Sequence, residues 1–411
     1  MTQTPPLLAR PVPTALPIAQ PAPPVVEALP LVSPVVPTVR PAPQPFPIRI
    51  IRGIAAAIEW VFGVAVLFVG LAVLAAVPVL QFLSLGYLLE ATGRVARSGR
   101  LREAFVGVRT AARIGGVVGC SWLLLLPVRF VADMAHSASI IDPGGRTAAN
   151  WRTGLFVLVG VTFVHIASAV AMGGKLRHFV SPFNLMWLLV RAVRGGFYVE
   201  AREAVWRFVI GLRLQHYFWL GLRGFAAAFI WLLVPITLFA LGRYVGAVGP
   251  LVSFAGACIL AGVLMYLPFL QTRLAAENRF TAGFEIWEVR RLYRNAPLAF
   301  AVSLVVTLAF ALPLYLLKIE IVPGEAAWLP GLVFIAFIAP ARLLTGWGYS
   351  RAAKRERPRH WFWRWTGRLP LLPAAGFYVL VVFFTQYTSW HGVWSLYEQH
   401  AFLLPVPFFG G

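Results

Sequence analysis

The stretch PFLQTRLAAENRFTAGFEIWEVRRLYR, Pro268 to Arg294, is a charged segment set between two long apolar runs, Tyr244 to Leu270 and Ala296 to Leu317. Short basic excursions between apolar runs of about 20 residues are how a helical chain crosses a bilayer repeatedly. The composition agrees: 59% of the 411 residues are hydrophobic and 12% charged, about half the charge of a soluble globular chain. The expected fold is all-α, a polytopic transmembrane helical bundle with cytoplasmic interfacial amphipathic helices and a disordered proline-rich N-terminal tail.

At the N-terminal side, residues 1–47 hold 15 prolines and three charged residues, too little apolar periodicity to build a core. The integral domain spans 48–390 with about eight crossings. Its runs are Trp60 to Leu89, Ile114 to Val128, Gly154 to Gly174, Phe225 to Leu241, Tyr244 to Leu270, Ala296 to Leu317, Ala326 to Ala341 and Leu369 to Trp390. Residues 391–411 form an external C-terminal tail. The apolar patch Phe183 to Val190 reads as interfacial.

Orientation follows from charge. Lys and Arg in successive connections number 6, 3, 8, 1, 5, 1 and 8, with none in the final tail. The alternation is the positive-inside pattern, and it places segments 90–113, 175–223, 273–294 and 342–368 in the cytoplasm. Eight crossings would then put the N-terminal tail outside. A hairpin within Trp60 to Leu89, broken near Gly70 or Pro78, would keep it inside. The net charge of +21 lies mostly in these connections, which points to anionic lipid headgroups and not to nucleic acid.

The opening stretch has a partial echo. Pro78-Val-Leu-Gln81 and Pro268-Phe-Leu-Gln271 each close an apolar run, and Gly99 to Phe105 matches Asn278 to Phe284. Leu101, Ala104, Phe105, Val108 and Ala112 fall at helical spacing, as do Ala201, Ala204, Val205, Phe208 and Leu212; Phe280, Phe284 and Trp287 give a shorter version. Each segment reads as a helix in the headgroup plane, apolar face down, and Arg100, Arg109, Arg290, Arg291 and Arg294 are the candidate lipid-headgroup contacts.

The stretches GYLLEATGRVARSGRLREAF, Gly86 to Phe105, and LPFLQTRLAAENRFTAGFEIWEVRRLYRNAPLAF, Leu267 to Phe300, resemble the two halves of a family of uncharacterised prokaryotic polytopic membrane proteins grouped as a domain of unknown function. The resemblance implies architecture only, since that family brings no activity, cofactor or catalytic residue. The proline-rich tail and the last two runs depart from its pattern.

The candidate intramembrane polar residues are His165, mid-run in FVLVGVTFVHIASAV, and Gln81 and Gln271, placed alike in the two copies of the repeat. A neutral histidine bonded to a neighbouring helix outweighs a proton relay at His165, because no carboxylate shares its run. HExxH, P-loop, GxGxxG and GxSxG motifs are absent from the sequence, so no catalytic, metal or cofactor-binding residue is assigned and no cofactor is expected. The tryptophans Trp361, Trp363 and Trp365 read as an aromatic belt. The functional expectation is a non-enzymatic component of the bacterial cytoplasmic membrane that supports envelope machinery, with membrane-protein partners; a transporter or channel is the alternative, suggested by the repeat and the prolines in the runs.

Overall fold

A computed structural model describes residues 46–174, 176–181, 186, 190, 195, 197–316, 328–388, 392–398 and 402–403. Residues 1–45, most of the patch Phe183 to Val190, and the turn holding Glu320 and Glu325 lie outside the described residues. Met1–Ile51 and Arg52–Gly411 form two units, and the helical bundle belongs to the second. Among the described residues every regular element is a helix. Seven helices are long and apolar enough to cross a membrane, or eight if a bent pair counts as one span. The chain is a multi-pass helical membrane protein.

In order, α1 is Phe46–Ala76, α2 Gln81–Ser98, α3 Val108–Ile141, α4 Arg146–Ala171, α5 Leu176–Val180, α6 Phe197–Gly211 and α7 Leu214–Leu241. Then come α8 Gly249–Glu277, α9 Ile286–Asn295, α10 Pro297–Leu316, α11 Trp328–Ala353, α12 Trp361–Arg368, α13 Leu371–Thr388 and α14 Ser395–Glu398. Between α1 and α2 the chain reverses over 77–80. Pro78 cannot continue the helix, and Val79 takes φ 69°, a rare conformation for a β-branched residue.

The centre of the bundle is α2, packed on three neighbours through small residues. A methyl built on Gly86 would lie 1.7 Å from the Tyr217 carbonyl oxygen, and one on Gly221 would lie 1.9 Å from that of Phe82. Backbones of α2 and α7 therefore touch, and glycine at both positions is what permits it. Gly93 meets the Ala275 backbone of α8, and Gly346 of α11 meets the Thr92 carbonyl. Around this centre Phe269 stacks on Phe300 with centroids 3.9 Å apart, and Tyr378, Phe269 and Phe402 are the largest fully buried side chains. Lipid tails are as apolar as leucine, so close packing of this kind, more than transfer out of water, drives association of such helices.

The same contacts fix direction. Helices α2, α8 and α11 run parallel, and α7 runs against α2. Gly63 of α1 meets Val108 at the start of α3, while Ala72 meets Gly331 near the start of α11. Helices α1, α3, α7, α10 and α13 thus lead away from the end where α2, α8 and α11 finish, and α2, α4, α8 and α11 return to it. The stretch Trp60 to Leu89 enters and leaves at one end, reversing at Pro78. The end where α2, α8 and α11 finish carries the basic segments and is the basic end of the molecule.

Several boundaries differ from those read in the sequence, for one reason. The charge pattern assigns Glu90–Ser98, Leu214–Arg223 and Arg342–Ala353 to polar cytoplasmic segments, yet they are turns of α2, α7 and α11, with Glu90, Val95, Leu220 and Arg342 buried in the bundle. Charges in these turns find partners within the protein: Glu90, 8% exposed, faces Arg94 at 2.8 Å, Arg97 at 3.5 Å and His216 at 3.4 Å, and Arg342 donates to Gln271 at 2.6 Å. A paired charge is tolerated where an isolated one is not. The run Ile114 to Val128 is part of the 34-residue α3, about 51 Å long, which continues through Pro127 with Arg129 exposed. The segment 391–411 is not simply a tail beyond the bundle. Leu396, Phe402 and Leu403 are buried in the main core, and the Tyr397 hydroxyl bonds that of Thr237 at 2.9 Å.

Candidate functional site at the basic end

The stretch Pro268 to Arg294 folds as a helix end, a tight turn and a second helix. Asn278 closes α8 in the left-handed conformation, φ 52°, which asparagine tolerates better than most residues. A 3-10 turn, Thr281–Phe284, leads to Glu285 at φ −82°, ψ 66°, and α9 begins. The earlier copy repeats this backbone: Gly99 at φ 79° closes α2, Leu101–Ala104 is a 3-10 turn, and Phe105 sits at φ −82°, ψ 67°. The repeat is structural, but Phe105 corresponds to Glu285 and not to Phe284.

This register corrects two expectations. Gln81 opens α2 at the opposite end, whereas Gln271 lies close to the end of α8, so the two are not equivalent. Residues 101–112 do not form one surface helix, because the chain breaks after Ala104 and α3 starts at Val108. Phe280 to Trp287 is likewise broken, at Glu285. By contrast 201–211 lies within α6.

A carboxylate–guanidinium network holds the α8–α9 turn. Arg273 pairs with Glu277 at 3.0 Å and with Glu285, and Arg279 pairs with Glu277 and with Glu285 at 3.1 Å. Arg273 also reaches the Tyr349 hydroxyl of α11 at 3.3 Å. The Arg273 guanidinium hydrogen-bonded to it holds the Glu285 carboxyl below the usual carboxylate range,.

The ends of the three parallel core helices are each capped by a side chain of a neighbouring element. Arg97 of α2 donates to the Ala275 and Ala276 carbonyls at the end of α8, at 3.2 and 2.9 Å. Asn295, at the end of α9, donates to the Ala352 and Arg355 carbonyls at the end of α11, at 3.4 and 2.8 Å. Lys354, just past α11, donates to the Ser98 carbonyl of α2 at 2.8 Å. The donors link α2 to α8, α9 to α11 and α11 to α2, and the covalent α8–α9 turn closes them into a ring. Each satisfies carbonyls that a helix leaves unpaired, and the two cations also oppose the negative end of the helix dipole.

Outside this ring stand the predicted headgroup contacts. Arg290, Arg291 and Arg294 are exposed on α9, whose opposite side buries Val289 and rests Leu292 and Tyr293 on the core. Trp287, 75% exposed, lies on the arginine side, with Arg290 5.7 Å from its ring centre; the spacing in the sequence groups it with the apolar face instead. The axis of α9 turns 115° from that of α10, so α9 lies across the bundle. Arg100 and Arg109 are exposed near the ends of α2 and α3, away from that face in sequence, and Arg100 stands 3.9 Å from Glu103.

The intramembrane polar residues scatter. His165 is half-buried on α4, its Nε2 2.9 Å from the Phe179 carbonyl of α5, a backbone partner and not a relay. Gln271 is fully buried; its Nε2 donates to the Phe402 carbonyl at 2.7 Å and the Gly224 carbonyl at 3.2 Å, and its Oε1 accepts from Arg342 at 2.6 Å. Arg342 is 4% exposed, and its Nη2 has no hydrogen-bond partner among the described residues; nor has Gln81 Nε2. Arg342 escapes a reading of the sequence because, by charge alone, a basic connection begins there. The uncharged stretch Leu343 to Ser350 that follows it is the available signal.

No family model, curated protein or solved structure matches the chain.

Proposed function

We propose that the chain is a non-enzymatic, multi-pass component of a bacterial cytoplasmic membrane that supports other envelope machinery, with its basic end against the anionic headgroups of the inner leaflet. We place it with the uncharacterised prokaryotic family that its two repeat segments resemble. One observation carries the reading: the ends of α2, α8 and α11, capped by Lys354, Arg97 and Asn295, form a braced platform, and the Arg–Trp face of α9 lies exposed across it. Arginine with tryptophan suits the zone of phosphates and glycerol. The apolar faces of α3 and α4, with Trp122, Leu123, Phe156 and Phe163 more than half exposed, supply a lateral surface for a membrane-protein partner.

The test is a photo-crosslinking amino acid placed at Leu123 and, separately, at Phe156 in living cells. Discrete adducts with one membrane protein are expected at both positions; adducts with lipid alone would contradict the supporting role.

A transporter is the second reading, favoured by Arg342 and its unpartnered Nη2 in the bundle interior. A solute path predicts that R342C reacts with a small water-soluble thiol reagent. Protection from both sides of the membrane would remove that reading.

A further inference from the structure

We propose that a cleft at the basic end is a binding site for the phosphate headgroup of one anionic phospholipid. The cleft, about 340 Å³, lies between the first turns of α10, the last turns of α11 and the start of α12. Its cationic side is Arg351, Arg355 and Arg359; its apolar side is Pro297, Leu298 and Val302.

What sets these three arginines apart is that they share one cavity without a carboxylate. At the same end Arg94, Arg97, Arg100, Arg273, Arg279 and Arg291 each have a carboxylate within 4 Å. Among the described residues Arg351, Arg355 and Arg359 have none, and no carboxylate lines the cleft. Three cations gathered round one cavity repel one another unless an anion enters. Their placement is also fixed in advance. Arg351 stacks over Trp347, 4.8 Å from its ring centre, which leaves the guanidinium edge free for two parallel bonds to phosphate. Arg355 is tethered to the Asn295 carbonyl at 3.4 Å, and the Arg359 backbone N–H to the Arg294 carbonyl at 2.9 Å. The N-terminus of α10 adds its own attraction: Pro297 opens the helix, and the N–H groups of Leu298 and Ala299 belong to the first turn, which lacks intrahelical partners,.

The apolar side selects a lipid over free phosphate. Leu298 is 44% and Val302 55% exposed, one turn apart on the outer face of α10, so an acyl chain leaving the headgroup would run along them. Trp363 borders the same cleft, 42% exposed, at the level where an indole meets glycerol and ester groups.

This inference rests on the reading that the basic end meets an anionic leaflet, and the test separates the two. The full chain in mild detergent is titrated with phosphatidylglycerol and, separately, phosphatidylcholine, and bound lipids are counted by native mass spectrometry. We expect one phosphatidylglycerol to bind first, about tenfold more tightly than phosphatidylcholine, and R351Q/R359Q to weaken that first event about tenfold. R290Q/R291Q/R294Q on the outer face of α9 should leave it unchanged. R351K serves if the double variant is not monodisperse, because lysine keeps the charge and loses the paired geometry; weakened first binding is again expected. An undiminished first event in the cleft variants would overturn the site. Loss in the α9 variant alone would overturn the site while sparing the wider reading, and equal binding of the two lipids by every variant would remove both. Displacement of the lipid by inorganic phosphate as readily as by glycerophosphate-headed lipid would assign the cleft to free phosphate and overturn the lipid proposal.

Discussion

Helix α2 and the hairpin of α3 and α4 make opposite use of the same solvent. α2 has 18 residues, includes Glu90, Arg94 and Arg97, and buries Gly86, Leu89, Glu90, Gly93 and Val95 among its neighbours. α3 and α4 are longer and more apolar, yet only 0% and 17% of their most apolar windows are buried inside the protein. In water the apolar element would be the inner one. In a bilayer, small residues that let backbones touch and polar groups that need partners mark the interior, and long apolar stretches mark the outward face.

The two regions should differ most at their glycines. Gly86→Leu should abolish a monodisperse fold or cost at least about 3 kcal/mol, because the clash is with the backbone of α7 and not with a side chain that can move,. Gly116→Leu on α3, with nothing within 4 Å of the new Cβ, should stay within about 0.5 kcal/mol. Thermal aggregation in detergent reads both; equal damage would mean that α3 is packed as tightly as α2. Next in size is the buried pair. Gln271→Leu strips the only hydrogen bond that the Arg342 side chain makes among the described residues and should cost roughly 1.5–3 kcal/mol, whereas Arg342→Met, which removes the buried cation and leaves only the neutral Gln271 Oε1 without its donor, should cost less, about 1 kcal/mol. The reverse order would show that water or a bound anion, and not Gln271, satisfies the guanidinium.

The capping ring predicts a smaller loss. Arg97→Met should cost about 0.5–1 kcal/mol and fray the end of α8, seen as faster amide exchange at Asn278 and Arg279. No change in exchange would make the ring a surface coincidence. The smallest effect is with pH. The Glu285 carboxyl titrates below its unfolded value, so its contribution is present above the ordinary carboxylate pKa and fades as pH falls through the lowered one. Proteolytic cleavage after Arg279 should therefore rise on acidification below that range, and Glu285→Gln should abolish the dependence.

The helical membrane class is legible in the chain because apolar runs and basic connections are properties of composition and order. The reversal at Pro78 is legible as a proline within an overlong run. What escapes is the level of each charge. Glu90 and Arg342 each border an apolar run, and a hydropathy pattern ends the helix there, although pairing lets it continue. Gln81 and Gln271 share a Pro-x-x-Gln tetrapeptide by sequence alone; the equivalence resides in the left-handed residues Gly99 and Asn278, which the match of Gly99–Phe105 with Asn278–Phe284 already pairs. The inward path of Phe402 depends on a carbonyl acceptor for Gln271 and leaves no mark on the sequence.

Sidedness carries the most weight, since the proposed function and the lipid cleft both require the basic end to face the inner leaflet. With Cys120 and Cys258 replaced by serine, one cysteine is placed at Glu356, between α11 and α12, or at Gly144, in the α3–α4 turn. An impermeant thiol reagent added to intact cells should label the Gly144 position and reach the Glu356 position only after permeabilisation. Labelling of the Glu356 position from outside would put the basic end on the wrong face of the membrane and contradict both proposals.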